Sequence, residues 1–265
     1  MYAPPASRAP LWALGPFAAL FCVLSVWFGP DASWDLRNYH LYDPYALLNG
    51  TLWRDIAPAQ LQSFYAPLLD VAQFALRRAL NAHPWVLATM LALPHAVAAW
   101  LALSIACHAG LPLGTAFLAV LLGATGAAGL PTLGTGMSEA IPECLVLAGL
   151  RLVLIDSLSA PRGGEGRGGV GDGTASFAAG LLAGLAIGLK LTFAINAPGF
   201  AAALLAAGRW RSLPLLGLGI AAGALAVAGP WWWEVWRHTG NPLFPYFNDV
   251  FRSAWVPPVA MTDTR

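Results

Sequence analysis

Apolar positions along this chain run in blocks of roughly 20 residues, and the polar residues gather between the blocks. Runs of that length match helices crossing a hydrocarbon core of about 30 Å. The pattern predicts an all-α polytopic transmembrane bundle of about seven spans, near 11–29, 84–106, 112–130, 137–155, 175–189, 192–207 and 212–234. One single transmembrane domain then covers 1–265, with a large first loop at 30–83, a flexible Gly-rich linker at 161–175 and an aromatic segment at 235–260.

The stretch 175–207 is too long for one ordinary span and carries Lys190 in its middle, with Asn196-Ala-Pro-Gly199 further on. A continuous helix would hold that ammonium near the membrane centre at a cost of about 3 kcal/mol or more. Two short helices meeting near Lys190 let it reach an interface, and that division is adopted. Small residues recur in these spans, as in Gly180, Gly184 and Gly188 and again in Gly217 and Gly223. They let helix backbones approach closely in lipid. The Gly-rich stretch from Pro161 lacks a GKS or GKT ending and a preceding strand, so it reads as a linker and not as a nucleotide loop.

Composition agrees with the pattern. The chain is 58% hydrophobic and only 10% charged, well below the roughly one quarter charged in soluble domains. A net charge of +1 supplies no basic face, so nucleic-acid binding is set aside. Cys22, Cys107 and Cys144 sit inside apolar runs without metal or disulfide spacing and read as core-filling residues. The first apolar run lacks a small-x-small cleavage site toward Pro30, so it reads as a span and not as a signal peptide. Arginine counts on the two faces are balanced and do not decide orientation. Within the first loop, Asp70, Gln73, Arg77 and Arg78 mark Ala66–Leu80 as a helix lying on the membrane surface.

The polar chemistry is concentrated after the first span. Four of the 13 acidic residues fall between Pro30 and Pro67, as Asp31, Asp35, Asp43 and Asp55, among Trp34, Tyr39, His40, Tyr42 and Tyr45. Aromatics also anchor loops at a membrane boundary, which is their bland explanation. A short helix over Asp35–Tyr45 puts Asp35, Tyr39 and either Tyr42 or Asp43 on one face. Such a cluster suits general-base work, with Asp35 taking a proton while Tyr39 and His40 position the hydroxyl. An ion pair of Asp35 with Arg37 or Arg54, or a helix cap, is the competing role. Ser138 and Glu139 open the fourth span as cap and first-turn carboxylate, with Glu143 one turn deeper. Lys190, the single lysine in the sequence, is placed to hold a lipid phosphate or simply to snorkel. After the last span, Asn241 forms a turn with Gly240 and Pro242, and Phe244–Phe247, including Tyr246, offers an aromatic surface for lipid or sugar.

The segments WDLRNYHLYDPYALLNG (34–50), GLKLT (188–192) and GNPLFPYFN (240–248) together resemble the GT-C superfamily of polytopic glycosyltransferases, particularly bacterial members related to the lipid-A and mannosyl transferases. The resemblance implies a multi-pass inner-membrane protein with an extracytoplasmic first loop bearing an essential Asp. It further implies a polyprenyl-phosphate sugar donor, a glycan or lipid acceptor, and inverting transfer of a hexose or pentose. Asp35 matches the base position best and Asp31 is the second candidate. Lys190 then neutralises the departing phosphate, Glu139 is a further polar contact, and Tyr39, His40, Glu143, Asn241 and Tyr246 are substrate-binding candidates. No cofactor is evident. There is no tight DxD pair, so a divalent metal is not argued. Members of the superfamily usually continue beyond the aromatic segment, whereas this sequence stops at Arg265. A polytopic transporter and an inactive truncated fragment are therefore the rival readings. Transporters place their sites near the midplane in broken helices, often with internal repeats; here the carboxylates gather in a loop.

Overall fold

The computed structural model describes residues 9–55, 57–127, 129–137, 139–159 and 170–259, with the side chains of 156–159 and 170–172 excepted. Among these residues the fold is all-α, without a β-sheet. The elements are α1 (Leu14–Phe28), a π turn (Leu36–His40), α2 (Tyr42–Asn49), a 3-10 turn (Gln60–Phe64), α3 (Leu68–Ala79), α4 (Pro84–His108), α5 (Leu113–Ala124) and α6 (Gly129–Thr132). After them come α7 (Ala140–Ser159), α8 (Val170–Leu189), a 3-10 segment (Leu191–Asn196), α9 (Ala197–Ala206), α10 (Leu213–Thr239) and α11 (Asn248–Phe251). The expected linker at 161–175 falls mostly outside the described residues, and α8 begins within it.

Three helical stretches, Leu11–Phe28, Pro84–His108 and Trp210–Thr239, are long and apolar enough to cross a membrane. At 1.5 Å per residue α4 alone is about 37 Å long. Leu113–Ala124, Gly173–Leu189 and Leu191–Ala206 are apolar but shorter. The expected span at 112–130 is interrupted after Ala124, where a turn precedes α6. The chain breaks at Lys190, whose extended backbone (φ −151°, ψ 110°) separates α8 from the 3-10 segment. Exposed tryptophans mark both ends of the long helices. Trp12 and Trp210 stand at the starts of the first and last stretches; Trp27, Trp85, Trp233 and Trp236 stand at the opposite end. Indoles in two such bands suit the two interfaces of a bilayer.

Packing runs in a row: α1 on α4, α4 on α7, α7 on α8, and α8 on α10. Phe17, Phe21, Leu103 and Cys107 fill the first junction, and Val153, Phe200, Leu204 and Leu216 fill the region around α7, α8 and α9. Arg151 is satisfied between helices, donating from Nε to Ser104 Oγ at 2.7 Å with its guanidinium over Trp100. The α8–α10 crossing is the closest. A methyl built on Gly180 or Gly184 would overlap the carbonyl oxygen of Leu216 or Ile220, and one on Gly219 or Gly223 that of Phe177 or Leu181. Glycines on both helices thus bring the backbones into direct contact.

Helix α3 forms within the expected surface helix Ala66–Leu80, with most of its polar side chains turned toward the protein. Its polar residues Asp70 and Gln73 are buried and Arg77 is mostly buried, whereas Leu68, Ala72 and Ala75 face outward. Polar groups can turn inward here because partners await them: His40 for Asp70 and Asp31 for Arg77. The outward side is mostly small and apolar but also carries the exposed Arg78, a mixture suited to a membrane boundary.

Candidate functional site

The polar segments meet at one end of the bundle. The first loop, residues 133–137 and 139, the α8 break and the segment after α10 are joined there through Asp31 to Gly136, Lys190 to Met137 and Trp231 to Phe64. Gly29 (φ 82°) terminates α1, and Asp31 follows at once. Its Oδ1 accepts the Ser33 N–H at 2.9 Å, and its Oδ2 accepts the Gly136 N–H at 2.7 Å with Arg77 Nη2 3.8 Å away. Burial by itself pushes this carboxyl up, but the Gly136 and Ser33 hydrogen bonds and the Arg77 charge outweigh it and hold it below the usual range. Asp31 therefore joins the first loop, the 134–137 turn and α3. Asp31→Asn is expected to cost about 2 kcal/mol, the scale of a lost hydrogen bond to a charged group. Thermal denaturation in detergent checks this; an unchanged midpoint would remove the structural assignment.

The Asp35–Tyr45 stretch is not one α-helix. Leu41 N–H bonds Leu36 O at 3.1 Å, a five-residue step that adds one residue to the turn. The extra residue rotates the expected face: Tyr39 and His40 are buried together, Asp35 is left partly exposed, and Tyr42 donates to Asp55 instead. Among the described residues Asp35 makes no ion pair with Arg37 or Arg54. Tyr39 packs on His40 with ring centroids 4.1 Å apart and meets Tyr65 edge-on at 5.8 Å. Burial, with the Asp35 and Asp70 charges behind it, pushes the Tyr39 phenol up, so it stays a proton donor at neutral pH.

His40 Nδ1 lies 2.7 Å from Asp70 Oδ1. His40 is 7% exposed and its Nε2 is buried without a hydrogen-bond partner. Asp43 is 1% exposed and neither carboxyl oxygen has a partner. Burial, followed by repulsion from Asp70, pushes Asp43 up to about 8. Two buried carboxyls and a buried imidazole thus cluster here, with the proton kept on Asp43.

Tyr39, His40 and Asp70 line a cavity of about 230 Å³. Lys190 and the aromatic residues Trp231, Phe244 and Tyr246 line it too. Lys190 Nζ donates to Met137 O at 2.9 Å and pairs with Glu139. The second oxygen of Glu139 is buried and unpartnered. Glu139 also lines a second cavity of about 190 Å³, with Gln73, His95, Thr132 and Thr135. Ser138 lies outside the described residues. Glu143 is exposed on α7 and lines neither cavity.

The aromatic segment closes the cavity by packing on the first loop. Trp231 Nε1 donates to Phe64 O at 3.1 Å, Trp53 stacks on His238 at 4.2 Å, and Phe64 meets Phe244 edge-on at 4.7 Å. Asn241 is completely buried; its Nδ2 donates to Tyr246 O at 2.7 Å and its Oδ1 accepts Leu243 N–H at 2.9 Å. It shapes the loop that carries Tyr246 to the cavity and does not itself line it.

Of the expected site residues, Tyr39, His40, Lys190 and Tyr246 come together at the first cavity, with Glu139 held on Lys190. Asp31, Asp35, Glu143 and Asn241 stand outside its lining. Asp70 and Trp231 line it although they were not expected as site residues, and Gln73 lines the second cavity. The signal for part of this lay in α3, where Asp70, Gln73 and Arg77 recur at three- and four-residue steps. Among the described residues no group of three His, Cys, Asp or Glu is arranged to hold a metal ion. No protein-family model, no curated protein and no solved structure matches this chain.

Proposed function

We propose that this chain transfers a sugar from a polyprenyl-phosphate donor to a hydroxyl of a glycan or lipid acceptor, with inversion. One observation carries the reading: the chain's single lysine, tied to Glu139, lines the same aromatic-lined cavity as Tyr39, His40 and Asp70. The aromatic wall suits a sugar ring and the first units of a polyprenyl chain. The Lys190 ammonium suits the phosphate, whose charge grows as the sugar departs, and such stabilisation is worth most where water is excluded. The polar wall suits the acceptor hydroxyl. The base comes from the first loop; the resemblance assigns it to Asp35, which stands outside the cavity lining. In this reading the shorter apolar helices join the three long ones in a bundle of about seven spans. With the amino terminus inside, the site opens on the extracytoplasmic face of the inner membrane.

The test is transfer by the protein in lipid nanodiscs, using radiolabelled polyprenyl-phosphate hexoses and pentoses with glycolipid acceptors. Glycoside and free polyprenyl phosphate are the expected products. Lys190→Met is expected to lower the rate about 100-fold, in line with loss of one preorganised charge contact, and Lys190→Arg to retain more of it. Sugar or lipid crossing a vesicle membrane without a new glycosidic bond would replace this reading with a transporter.

A further inference from the structure

We infer that His40, oriented by Asp70, takes the proton from the attacking hydroxyl, a role that the resemblance assigns to Asp35. The inference rests on the transfer reading and names the base within it. His40 lines the cavity, whereas Asp35 does not. An ionised carboxylate only accepts hydrogen bonds, so His40 Nδ1, 2.7 Å from Asp70 Oδ1, carries the hydrogen. Nε2 is then left with a lone pair, and it is the buried nitrogen without a partner. Asp43, a fully buried carboxyl pushed up to about 8, stands in the same cluster.

The charged and titratable groups around the imidazole come from every element packed there. Tyr39 stacks on it from the same turn, Asp43 stands on α2, Asp70 on α3 and Tyr65 just before α3. Lys190, with Glu139 bound to it, lines the same cavity. In the step itself the acceptor oxygen bonds the anomeric carbon as the bond from that carbon to the phosphate oxygen breaks. The phosphate leaves with the electron pair beside Lys190, and Nε2 receives the hydroxyl proton. The imidazolium so formed faces the Asp70 carboxylate, then returns its proton to water. Asp70 is a positioning residue: it fixes the tautomer and stabilises the charge that develops.

The test is the single-turnover transfer rate of the full chain in nanodiscs from pH 5 to 9, with a polyprenyl-phosphate sugar and a glycolipid acceptor. Wild type is expected to gain rate through one ionisation on the acid side. His40→Gln is expected to lose at least about 100-fold and the acid limb with it, the scale of a lost general base. Asp35→Asn is expected to keep the limb. Asp70→Asn serves as a second variant should His40→Gln fail to fold. Without its carboxylate neighbour the imidazolium is less favoured, so the limb moves to lower pH and the rate falls. Nitrogen NMR of labelled histidine in wild type is expected to find the Nδ1–H tautomer at His40. A limb that survives in His40→Gln, or stays in place in Asp70→Asn, overturns the assignment while leaving the transfer reading intact. Wild type that makes no glycoside from any such donor overturns both.

Discussion

Asp43→Asn is expected to raise the thermal midpoint of the protein at pH 8 to 9 and to leave it nearly unchanged at pH 4. The carboxyl sits in α2 with 1% of its residue surface exposed and neither oxygen hydrogen-bonded. In the unfolded chain it ionises near the ordinary aspartate value of about 3.9. In the folded chain burial, and then the Asp70 charge, move it to about 8. A raised value means that the folded state binds the proton more tightly than the unfolded state. The associated stability is therefore present in full below about pH 4 and is lost as pH rises toward 8. At about 1.4 kcal/mol for each pH unit, the loss reaches on the order of 5 kcal/mol. An asparagine of the same shape has no proton to lose, so its midpoint lacks that slope. Thermal unfolding in detergent at pH 4, 6, 8 and 9 reads the difference. A variant destabilised equally at all four values would show that the Asp43 carboxyl makes contacts an amide cannot.

The second large effect is expected at the α8–α10 crossing. Gly184→Ala adds a methyl that overlaps the Ile220 carbonyl and crowds the Ala224 amide nitrogen, both of them backbone atoms that cannot rotate away. The helices must separate, and with them the facing pair of Gly219 and Gly223 loses its contact with α8. Overpacking of this kind costs about 3 kcal/mol, at the upper end of its usual range. Gly217→Ala is the matched control, since nothing lies within 4 Å of its added methyl. The expected outcome is a large fall in detergent-resistant folded protein for Gly184→Ala and none for Gly217→Ala. Equal behaviour of the two would mean that the crossing is looser than its glycines require. The crossing also matters for the site, because α8 ends at Leu189 and so sets where Lys190 stands.

Part of the candidate site was legible beforehand. Tyr39, His40 and Lys190 stood out as polar residues that an apolar chain has little reason to carry, and they line the cavity. Asp35 stood out for the same reason and lies outside it. The difference is one residue of backbone: a five-residue step over Leu36–His40 turns His40 inward where a four-residue spacing had favoured Asp35 with Tyr39 and Tyr42. Periodicity arguments assume 3.6 residues per turn, and a π turn breaks the assumption without a sequence mark. Asp70, Gln73 and Arg77 were visible as a stripe, but a stripe does not say which way it faces. The expectation followed water, whereas the stripe follows its partners His40 and Asp31.

Block hydrophobicity by itself determined that the chain is helical and apolar on the scale of a membrane, and that its polar groups collect in the loops. Those are properties of consecutive residues, and free energies of transfer act on them one block at a time. Tertiary structure alone decided which loop residues meet. Asp31 reaches Gly136 across 105 positions, and Lys190 reaches Glu139 across 51. Such pairings depend on how α3, α7, α8 and α10 lean on one another. That leaning is settled by backbone contact between glycines and by the need of every buried charge for a partner, and neither is a property of any one segment.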